Sequence, residues 1–184
     1  MEEPYMHIGT TTILTNRLKL RKLTFDDVQS VFSHLKSDER ITDNLVSAAH
    51  TDIEQTRIMV EEFINQYDNP GYYHWGIELC ESNELIGLID LYDFDADEPK
   101  CNVGYLLGFK WWNQGYGTEA LAAVVDFAFN NIDIKEISAT HNTDNPASGR
   151  IMEKVGMTKE RVVKDMIKNA KGDSKDCAIY RIER

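Results

Sequence analysis

Three strand-like segments follow one another in the middle of this chain, and their spacing constrains the fold more than any other feature. They are YHWGIELC at 73–80, LIGLIDLY at 85–92 and CNVGYLL at 101–107. The first two are separated only by ESNE, which is short enough for a hairpin. The acidic loop DFDADEPK leads to the third. The spacing therefore predicts an antiparallel β-meander at the centre of the fold.

Helical and strand-like patterns alternate on both sides of this meander. An opening strand is predicted at 17–23, where RLKLRKL alternates. Two helices then begin at capping boxes, Thr24 with Asp27 and Thr51 with Glu54. Four further segments follow the meander: a helix at 115–131, a strand at 136–141, a helix from Asn145 that ends before Gly156, and a hairpin with strands at 161–167 and 177–182. The predicted order is β-αα-βββ-α-β-α-ββ, a mixed α/β fold with a largely antiparallel front half.

Composition and charge exclude several classes of protein. With 184 residues, of which 42% are apolar, the chain is long enough for a sizeable core, and we expect a single domain over residues 1–184. The net charge of −11 argues against a general nucleic-acid binder. No apolar run approaches the ~18 residues of a membrane-spanning helix, and the N-terminus lacks the pattern of a signal peptide. A cytoplasmic protein without membrane contact is therefore expected.

The cysteines and one acidic loop give no sign of a metal or disulfide framework. Cys80, Cys101 and Cys177 are odd in number and form no CxxC pair, so neither a disulfide framework nor a zinc site is predicted. All three lie in apolar segments, and we expect buried, inert thiols. Residues 93–97 imitate the start of a calcium loop, but the required glycine and closing glutamate are missing.

The segment WWNQGYGTEA at 111–120 places a glycine-bearing turn at the start of a predicted helix. Gly115, Gly117 and Ala120 fit the dinucleotide-binding pattern G-x-G-x-x-G/A. In that fold the glycines follow a strand almost directly, whereas seven residues, 108–114, intervene here. The loop of nucleotide triphosphatases needs a Lys-Ser/Thr pair that this segment lacks. Both alternatives, including a nicotinamide oxidoreductase, are therefore disfavoured.

The glycine turn nevertheless has the physical properties of an anion site. Glycines let a backbone approach a ligand closely. The main-chain amides of residues 114–118 would point out of the helix start, unsatisfied and partly positive, where they suit a phosphate or pyrophosphate. The alternative is a tight corner whose amides bind water.

At this turn the chain resembles the GNAT superfamily of acetyl-coenzyme A-dependent N-acetyltransferases. The pyrophosphate loop of that superfamily has the pattern Q/R-x-x-G-x-G/A, and here it is WNQGYG at 112–117, with Trp in the first position. That substitution is typical of the branch resembling ribosomal-protein N-terminal (alanine/serine) acetyltransferases. The resemblance covers about residues 10–184 in the same element order. Its further motifs are IG at 86–87, VGY at 103–105, NPAS followed by EK and G at 145–156, and CAIYRI at 177–182.

The resemblance implies an acyl-coenzyme A N-acyltransferase fold, with a central, mostly antiparallel, twisted sheet, splayed middle strands and flanking helices. It also implies acetyl-coenzyme A as cosubstrate, with the pantetheine arm bonded to the main chain of Tyr105, Leu106 and Leu107, whose side chains are expected to be ordinary sheet residues. The remaining coenzyme-binding residues would be Trp112, Gln114, Gly115, Tyr116, Gly117, Thr118, Asn145, Ser148 and Lys154. Lys110 and Arg150 are further cations placed near the loop.

Acyl transfer requires a donor for the thioester oxygen and a proton for the leaving thiolate. For the oxygen, the main-chain N–H of Leu106 or Leu107 is the best candidate. For the thiolate, the resemblance points to Ser148 and Asn145 as catalytic residues on the first turn of their helix. Asn145 also suits a plain helix cap, and Ser148 a plain polar residue of that turn.

The base that would take the proton of the amine is left open by the sequence. Many relatives carry an acidic residue two before the Gly of IGY, and here that position is Asn102. The remaining candidates for the base are Glu78, Asp90, His141 and His74, acting directly or through water. The residues expected to bind the acceptor are these four and Trp75. A dedicated base is not strictly required, because an α-amine has a pKa of roughly 8 and is partly neutral already.

The expected function is acetyl transfer from acetyl-coenzyme A to a primary amine by direct attack in a ternary complex. No Cys or Ser has the surroundings of an activated nucleophile, so a covalent acyl-enzyme is disfavoured. The acidic chain suits a cationic acceptor, such as the basic N-terminus of a ribosomal protein or a small cationic amine. The alternative is a non-catalytic acyl-coenzyme A-binding or sensor module. Both a monomer and a homodimer fit the sequence.

Overall fold

The computed structural model of the protein describes residues 5–43 and 45–184. These residues form eight strands and five α-helices. The strands are β1 (Ile13–Leu14), β2 (Leu18–Arg21), β3 (Tyr73–Leu79), β4 (Leu85–Tyr92), β5 (Lys100–Leu107), β6 (Glu136–Asn142), β7 (Thr158–Lys168) and β8 (Ser174–Glu183). The helices are α1 (Val28–Val31), α2 (Glu39–Thr42), α3 (Ile53–Gln66), α4 (Tyr116–Asn131) and α5 (Pro146–Lys154).

All eight strands belong to one sheet with the order β1-β2-β3-β4-β5-β6-β8-β7. Every neighbouring pair is antiparallel except β5 and β6, which are parallel. The meander predicted from the spacing of the three central segments is therefore confirmed as β3-β4-β5, and so is the mixed, mostly antiparallel fold class. The short strand β1 is an addition that the sequence pattern did not indicate.

The middle of the sheet opens into a notch between β5 and β6. Their pairing begins at Lys100 with Glu136 and ends at Val103 with Ala139. Both strands continue past that point, β5 to Leu107 and β6 to Asn142. The expected splaying of the middle strands is thus present, and it leaves main-chain groups of both strands without a partner strand.

The two faces of the sheet are covered by different helices. Side chains on one face pack with α4 and α5 into the larger core, which includes Trp75, Val103 and Met152. On the other face, a smaller core contains Val31 of α1, Val60 of α3 and side chains of β4. Because successive side chains of a strand alternate between faces, each strand beside the notch serves both sides.

Two local predictions need correction. The helix α3 begins one residue later than expected, because Asp52 is its cap and forms the capping box with Gln55, in place of Thr51 with Glu54. Asp52 accepts a hydrogen bond from the N–H of Glu54, so the rule was sound but the register was wrong. The box of Thr24 with Asp27 is confirmed, although it opens a short 3-10 turn ahead of α1.

Cys80 is exposed, so the expectation of three buried thiols is wrong for this residue, whereas Cys101 and Cys177 are buried. Cys80 comes directly after the end of β3, where the chain turns toward β4. Within residues 5–43 and 45–184, no helix combines the length and apolarity needed to cross a bilayer.

Candidate active site

A cleft of about 380 Å³ lies at the notch and gathers four separate segments of the chain. One wall is the end of β5, the second is the glycine turn before α4, and the third is the end of β6 with the first turns of α5. Ile41 of α2 and Leu45 add an apolar rim. The predicted coenzyme-binding residues that line the cleft are Tyr105, Leu106, Leu107, Trp112, Gly115, Gly117, Thr118, Asn145, Ser148 and Lys154.

The glycine turn presents the start of α4 to this cleft. Gly115 precedes the helix with φ of +83°, a left-handed conformation that a side chain would disfavour. No side chain caps the helix in the described structure, whereas Asp52 caps α3 and Asn145 caps α5. The first amides of α4 are therefore left for water or a ligand, as the anion-site prediction requires.

Arg17 braces the turn from outside the cleft, a contact that the sequence analysis missed. Its Nη1 donates to the main-chain oxygen of Gln114 at 3.0 Å, and its Nε is 2.7 Å from Glu119 Oε2. The guanidinium also lies over the ring of Tyr116, 4.4 Å from its centroid. Gln114 and Tyr116 thus contact Arg17 and do not line the cleft. Arg17 is 97 residues from Gln114, and no local pattern could have indicated the contact.

The main chain of β5 offers its groups to the notch at alternate residues. The N–H of Gly108 donates to Ile86 of β4 at 2.8 Å, in continuous register with the pairing of Leu106 and Leu88. Antiparallel strands exchange main-chain hydrogen bonds at every second residue. The main-chain N–H and C=O of Leu106 therefore point toward β4, whereas those of Tyr105 and Leu107 point toward the notch. The carbonyl of Leu107 already accepts from Trp112 Nε1 at 2.8 Å. Leu107 N–H therefore suits the thioester oxygen better than Leu106 N–H.

The side chain of Tyr105 is not an ordinary sheet residue, and that expectation is corrected. Its hydroxyl donates to the main-chain oxygen of Ser148 at 3.0 Å and shares a hydrogen bond with Ser148 Oγ at 2.9 Å. Burial raises the pKa of Tyr105 to about 12, so the phenol keeps its proton at neutral pH. Tyr105 thus joins β5 to the first turn of α5 across the notch.

Asn145 and Ser148 occupy the positions that the helix-cap pattern predicts. Asn145 Oδ1 accepts from the N–H of Ser148 at 3.4 Å, and Pro146 takes the first helical position. Ser148 lines the cleft within the first turn of α5. The amide of Ser148 is therefore occupied, but its hydroxyl faces Tyr105 and the cleft.

The domain family described as Acetyltransferase (GNAT) domain matches residues 17–158, which is more than half of the chain. The chain belongs to the GNAT acetyltransferase family. GNAT acetyltransferases use acetyl-coenzyme A, and the protein is an acetyl-coenzyme A-dependent N-acetyltransferase.

Individual relatives agree with the family. The chain is 31% identical over 169 residues to the uncharacterized N-acetyltransferase YoaA of Bacillus subtilis strain 168, covering 91% of this chain and 94% of YoaA. It is 27% identical over 106 residues to the ribosomal protein uS5-alanine N-acetyltransferase of Escherichia coli strain K12, covering 56% and 55%. The solved structure of a GNAT-family acetyltransferase from Bacillus anthracis superimposes with a TM-score of 0.82 at 28% identity, covering 94% and 98%.

In this acetyltransferase, His141 lines the cleft beside α5. Its Nδ1 lies 2.7 Å from the main-chain oxygen of Asn142. A carbonyl can only accept, so Nδ1 carries a proton, and Nε2 lies beside Gly149 of α5. His141 therefore lies on the same face of the sheet as Ser148.

Two of the predicted acceptor-contact residues have structural partners away from the cleft. Trp75 is fully buried in the larger core and donates from Nε1 to the main-chain oxygen of Thr11 at 2.6 Å. Glu78 is buried and forms ion pairs with Arg21 at 2.5 Å and Lys19 at 3.4 Å. Their surroundings are those of core packing and a buried ion pair.

His74 and Asp90 lie side by side on the opposite face of the sheet. They are direct partners in the pairing of β3 with β4. Burial lowers the pKa of His74 to about 4 and raises that of Asp90 to about 7. Neither residue lines the cleft itself, but Asp90 also pairs with Gly104, the first residue of β5 beyond the parallel pairing.

The cationic side chains that the sequence places near the coenzyme differ in their ion pairing and in their position relative to the cleft. Lys110 is 3.2 Å from Glu84 and contacts the ring of Trp111, so its charge is partly compensated. Arg150 and Lys154 line the cleft from α5. In the described residues, no group of three His, Cys, Asp or Glu side chains is arranged to hold a metal ion.

Proposed function

We propose that this acetyltransferase transfers the acetyl group directly to a cationic primary amine in a ternary complex. The observation that carries the proposal is the meeting, in one cleft, of an uncapped helix start, free main-chain groups of β5 and the Ser148 hydroxyl. These are the three things that an acyl-coenzyme A donor requires: an anion site, a strand-like partner and an acid near the sulfur.

The diphosphate of the coenzyme is proposed to bind the amides of the α4 start, within Gly115 to Thr118. Arg150 and Lys154 would offset the overall acidity of the chain near the phosphates. The pantetheine arm would run along β5 and use the main-chain groups of Tyr105 and Leu107, in the manner of an added strand.

Two groups would stabilise the transition state at the thioester. Leu107 N–H is directed into the notch, where it can donate to the oxygen as negative charge develops. Ser148 would give its proton to the departing thiolate, and the first turn of α5 adds a positive helix end. Tyr105 positions the Ser148 hydroxyl through the 2.9 Å hydrogen bond between the two hydroxyl oxygens. The serine proton becomes free for the thiolate when the single phenol proton is donated to Oγ in place of the Ser148 main-chain oxygen.

A cationic acceptor is favoured by electrostatics. The net charge of −11 attracts cations to the protein as a whole. The E. coli relative acts on an alanine of a ribosomal protein, by its name, so a basic protein N-terminus is a suitable class to test beside small polyamines.

The test combines binding and turnover on the full chain. Calorimetric titration with acetyl-coenzyme A should give saturable binding, and free thiol should be released when spermidine, kanamycin or an alanine-terminated basic peptide is added. Lack of saturation with acetyl-coenzyme A would contradict the coenzyme site. Saturable binding without thiol release on any of these amines would contradict the cationic acceptor.

A further inference from the structure

The geometry points to Asp90 as the group that receives the ammonium of the acceptor and takes its proton, on the face of the sheet opposite Ser148. The inference deepens the proposed function and rests on it. It assigns a base for the reaction in a chain that carries Asn102 where many relatives have an acidic residue.

Asp90 lies where the notch opens. It is paired with Gly104 of β5, and the parallel pairing of β5 with β6 ends one residue earlier, at Val103. Its side chain projects onto the α1 and α3 face, as does that of Leu106, which lines the cleft. Gly104, the partner of Asp90, is two residues from Leu106 on β5. Two residues of a strand span about 6.6 Å, so the carboxylate lies close to the wall of the cleft.

Gly104 provides the room for this carboxylate. A Cβ added to Gly104 would lie 2.9 Å from Asp90 Oδ1 and 3.3 Å from the ring of Tyr92. Because the glycine has no side chain, the carboxylate can lie over β5 at the edge of the notch. Any larger residue would displace the carboxylate from that edge.

Among the residues that the structure describes, no group compensates the charge of this carboxylate. Within residues 5–43 and 45–184, Asp90 takes part in no ion pair or side-chain hydrogen bond, and the rise of its pKa comes from burial alone. Neighbouring His74 is held neutral by burial, and its Nδ1 is buried without a partner. A primary ammonium would supply the missing counter-charge and hydrogen-bond donors.

The surroundings of Asp90 suit a cation. Burial raises the pKa of the Tyr72 and Tyr92 phenols, and the nearby carboxylate of Asp90 adds to this rise. Tyr72 stacks with His74, and the His74 ring also packs on Phe63 at 4.1 Å between centroids. Aromatic faces beside a carboxylate attract ammonium groups. Among the described residues, the titratable groups next to Asp90 are His74, Tyr72 and Tyr92, with Tyr67 at the end of α3 in contact with Tyr72, and none of these four is positive near pH 7.

The two proton transfers would thus occur on opposite faces of the sheet, one at Asp90 and the other at Ser148. Asp90 takes one proton from the ammonium, and the neutral nitrogen then forms the C–N bond with the thioester carbon. The C–S bond breaks, the sulfur takes the electron pair, and Ser148 supplies its proton. The second proton of the nitrogen passes through water to the Ser148 oxygen as the amide forms, which restores the serine hydroxyl, while Asp90 returns its own proton to solvent.

The experiment compares Asp90→Asn with the matched variant Asp93→Asn, which removes the same charge from an exposed position three residues away. The readouts are the pH profile of kcat/KM with spermidine, the dissociation constant of acetyl-coenzyme A and the melting temperature. In the wild type, kcat/KM should rise with pH through about 7, because only the ionised carboxylate accepts a proton.

Asp90→Asn should lower kcat/KM by about 10²-fold or more and abolish this rise, while coenzyme binding stays unchanged. It should not lower the melting temperature at pH 8. The folded pKa of Asp90 lies above its unfolded value of 3.8, so ionisation costs stability that grows as the pH rises above that value and is complete above about pH 7, and the amide removes that cost. Asp93→Asn should behave as wild type.

The inference would be overturned by an Asp90→Asn variant that keeps the wild-type pH profile and loses less than about threefold in kcat/KM. That outcome leaves the proposed function intact, because the wild type still transfers acetyl. Failure of the wild type itself to bind acetyl-coenzyme A or to acetylate any amine would remove both proposals. The two failures are therefore distinguished by the wild-type control.

Discussion

The starts of α4 and α5 face the same cleft, but they are built in opposite ways. Asn145 caps α5 and Pro146 fills its first position, so the amides of that turn are largely satisfied within the chain. Gly115 opens α4 without any side-chain cap. The start of α5 can hold Ser148 in a fixed position, whereas the start of α4 keeps its amides for a ligand. A substitution at α4 should therefore change coenzyme affinity, and one at α5 should change turnover or stability.

The largest effect, on kcat, is expected at the Ser148 side chain. Ser148→Ala should lower kcat by about 10²-fold, because the thiolate loses its proton donor, while the dissociation constant of acetyl-coenzyme A hardly changes. Steady-state kinetics and calorimetry on one preparation would measure both. Ser138→Ala removes a hydroxyl from β6 outside the cleft and should leave both values as in the wild type. If affinity fell together with kcat, α5 would be a binding element like α4.

A smaller effect is expected at the open helix start. Gly115→Ala should raise the dissociation constant of acetyl-coenzyme A about tenfold, equivalent to about 1.4 kcal/mol, because the strained turn would misplace the amides. Gly172→Ala is a matched control: its φ is +87°, close to +83° at Gly115, but it lies in the β7–β8 turn with open space around it. Equal affinities in the two variants would show that the turn is only a corner.

The smallest effect is expected at the cap of α5. Asn145→Ala should cost about 1 kcal/mol of stability, a fall in melting temperature of roughly 2–4 °C, because the Ser148 amide loses its acceptor. Asp52→Ala at α3 should cost about as much, but it lies outside the cleft. Only Asn145→Ala should also reduce kcat, by a few-fold. An unchanged kcat would mean that the cap supports the helix without orienting Ser148.

Sequence patterns predicted the local backbone structure around the cleft well where it depends on neighbouring residues. The glycine turn, the cap at Asn145 and the position of Ser148 in the first turn of α5 follow from local backbone rules. The misplaced capping box shows the limit of those rules. Thr51 and Asp52 are both good caps, and each has a suitable partner three residues on, so only the observed bonds of Gln55 decide between them.

Contacts between distant segments could not be predicted in this way. Tyr105 and Ser148 are separated by 43 residues, and the pattern VGY marks only a strand. Asp90 was one of several strand residues without distinction until its pairing with Gly104 placed it at the notch. Trp75 and Asp90 are equal candidates in the sequence, but Trp75 is buried in the larger core, whereas Asp90 lies on the opposite face of the sheet, with α1 and α3.

The amino-acid sequence by itself determined the order of elements, the meander and the open turn before α4, because periodicity, hairpin length and glycine conformation act within a few residues. Only the tertiary structure decided which side chains meet around the notch. Those meetings depend on strand register and on which face each residue occupies, and a shift of one residue in register would exchange the two faces.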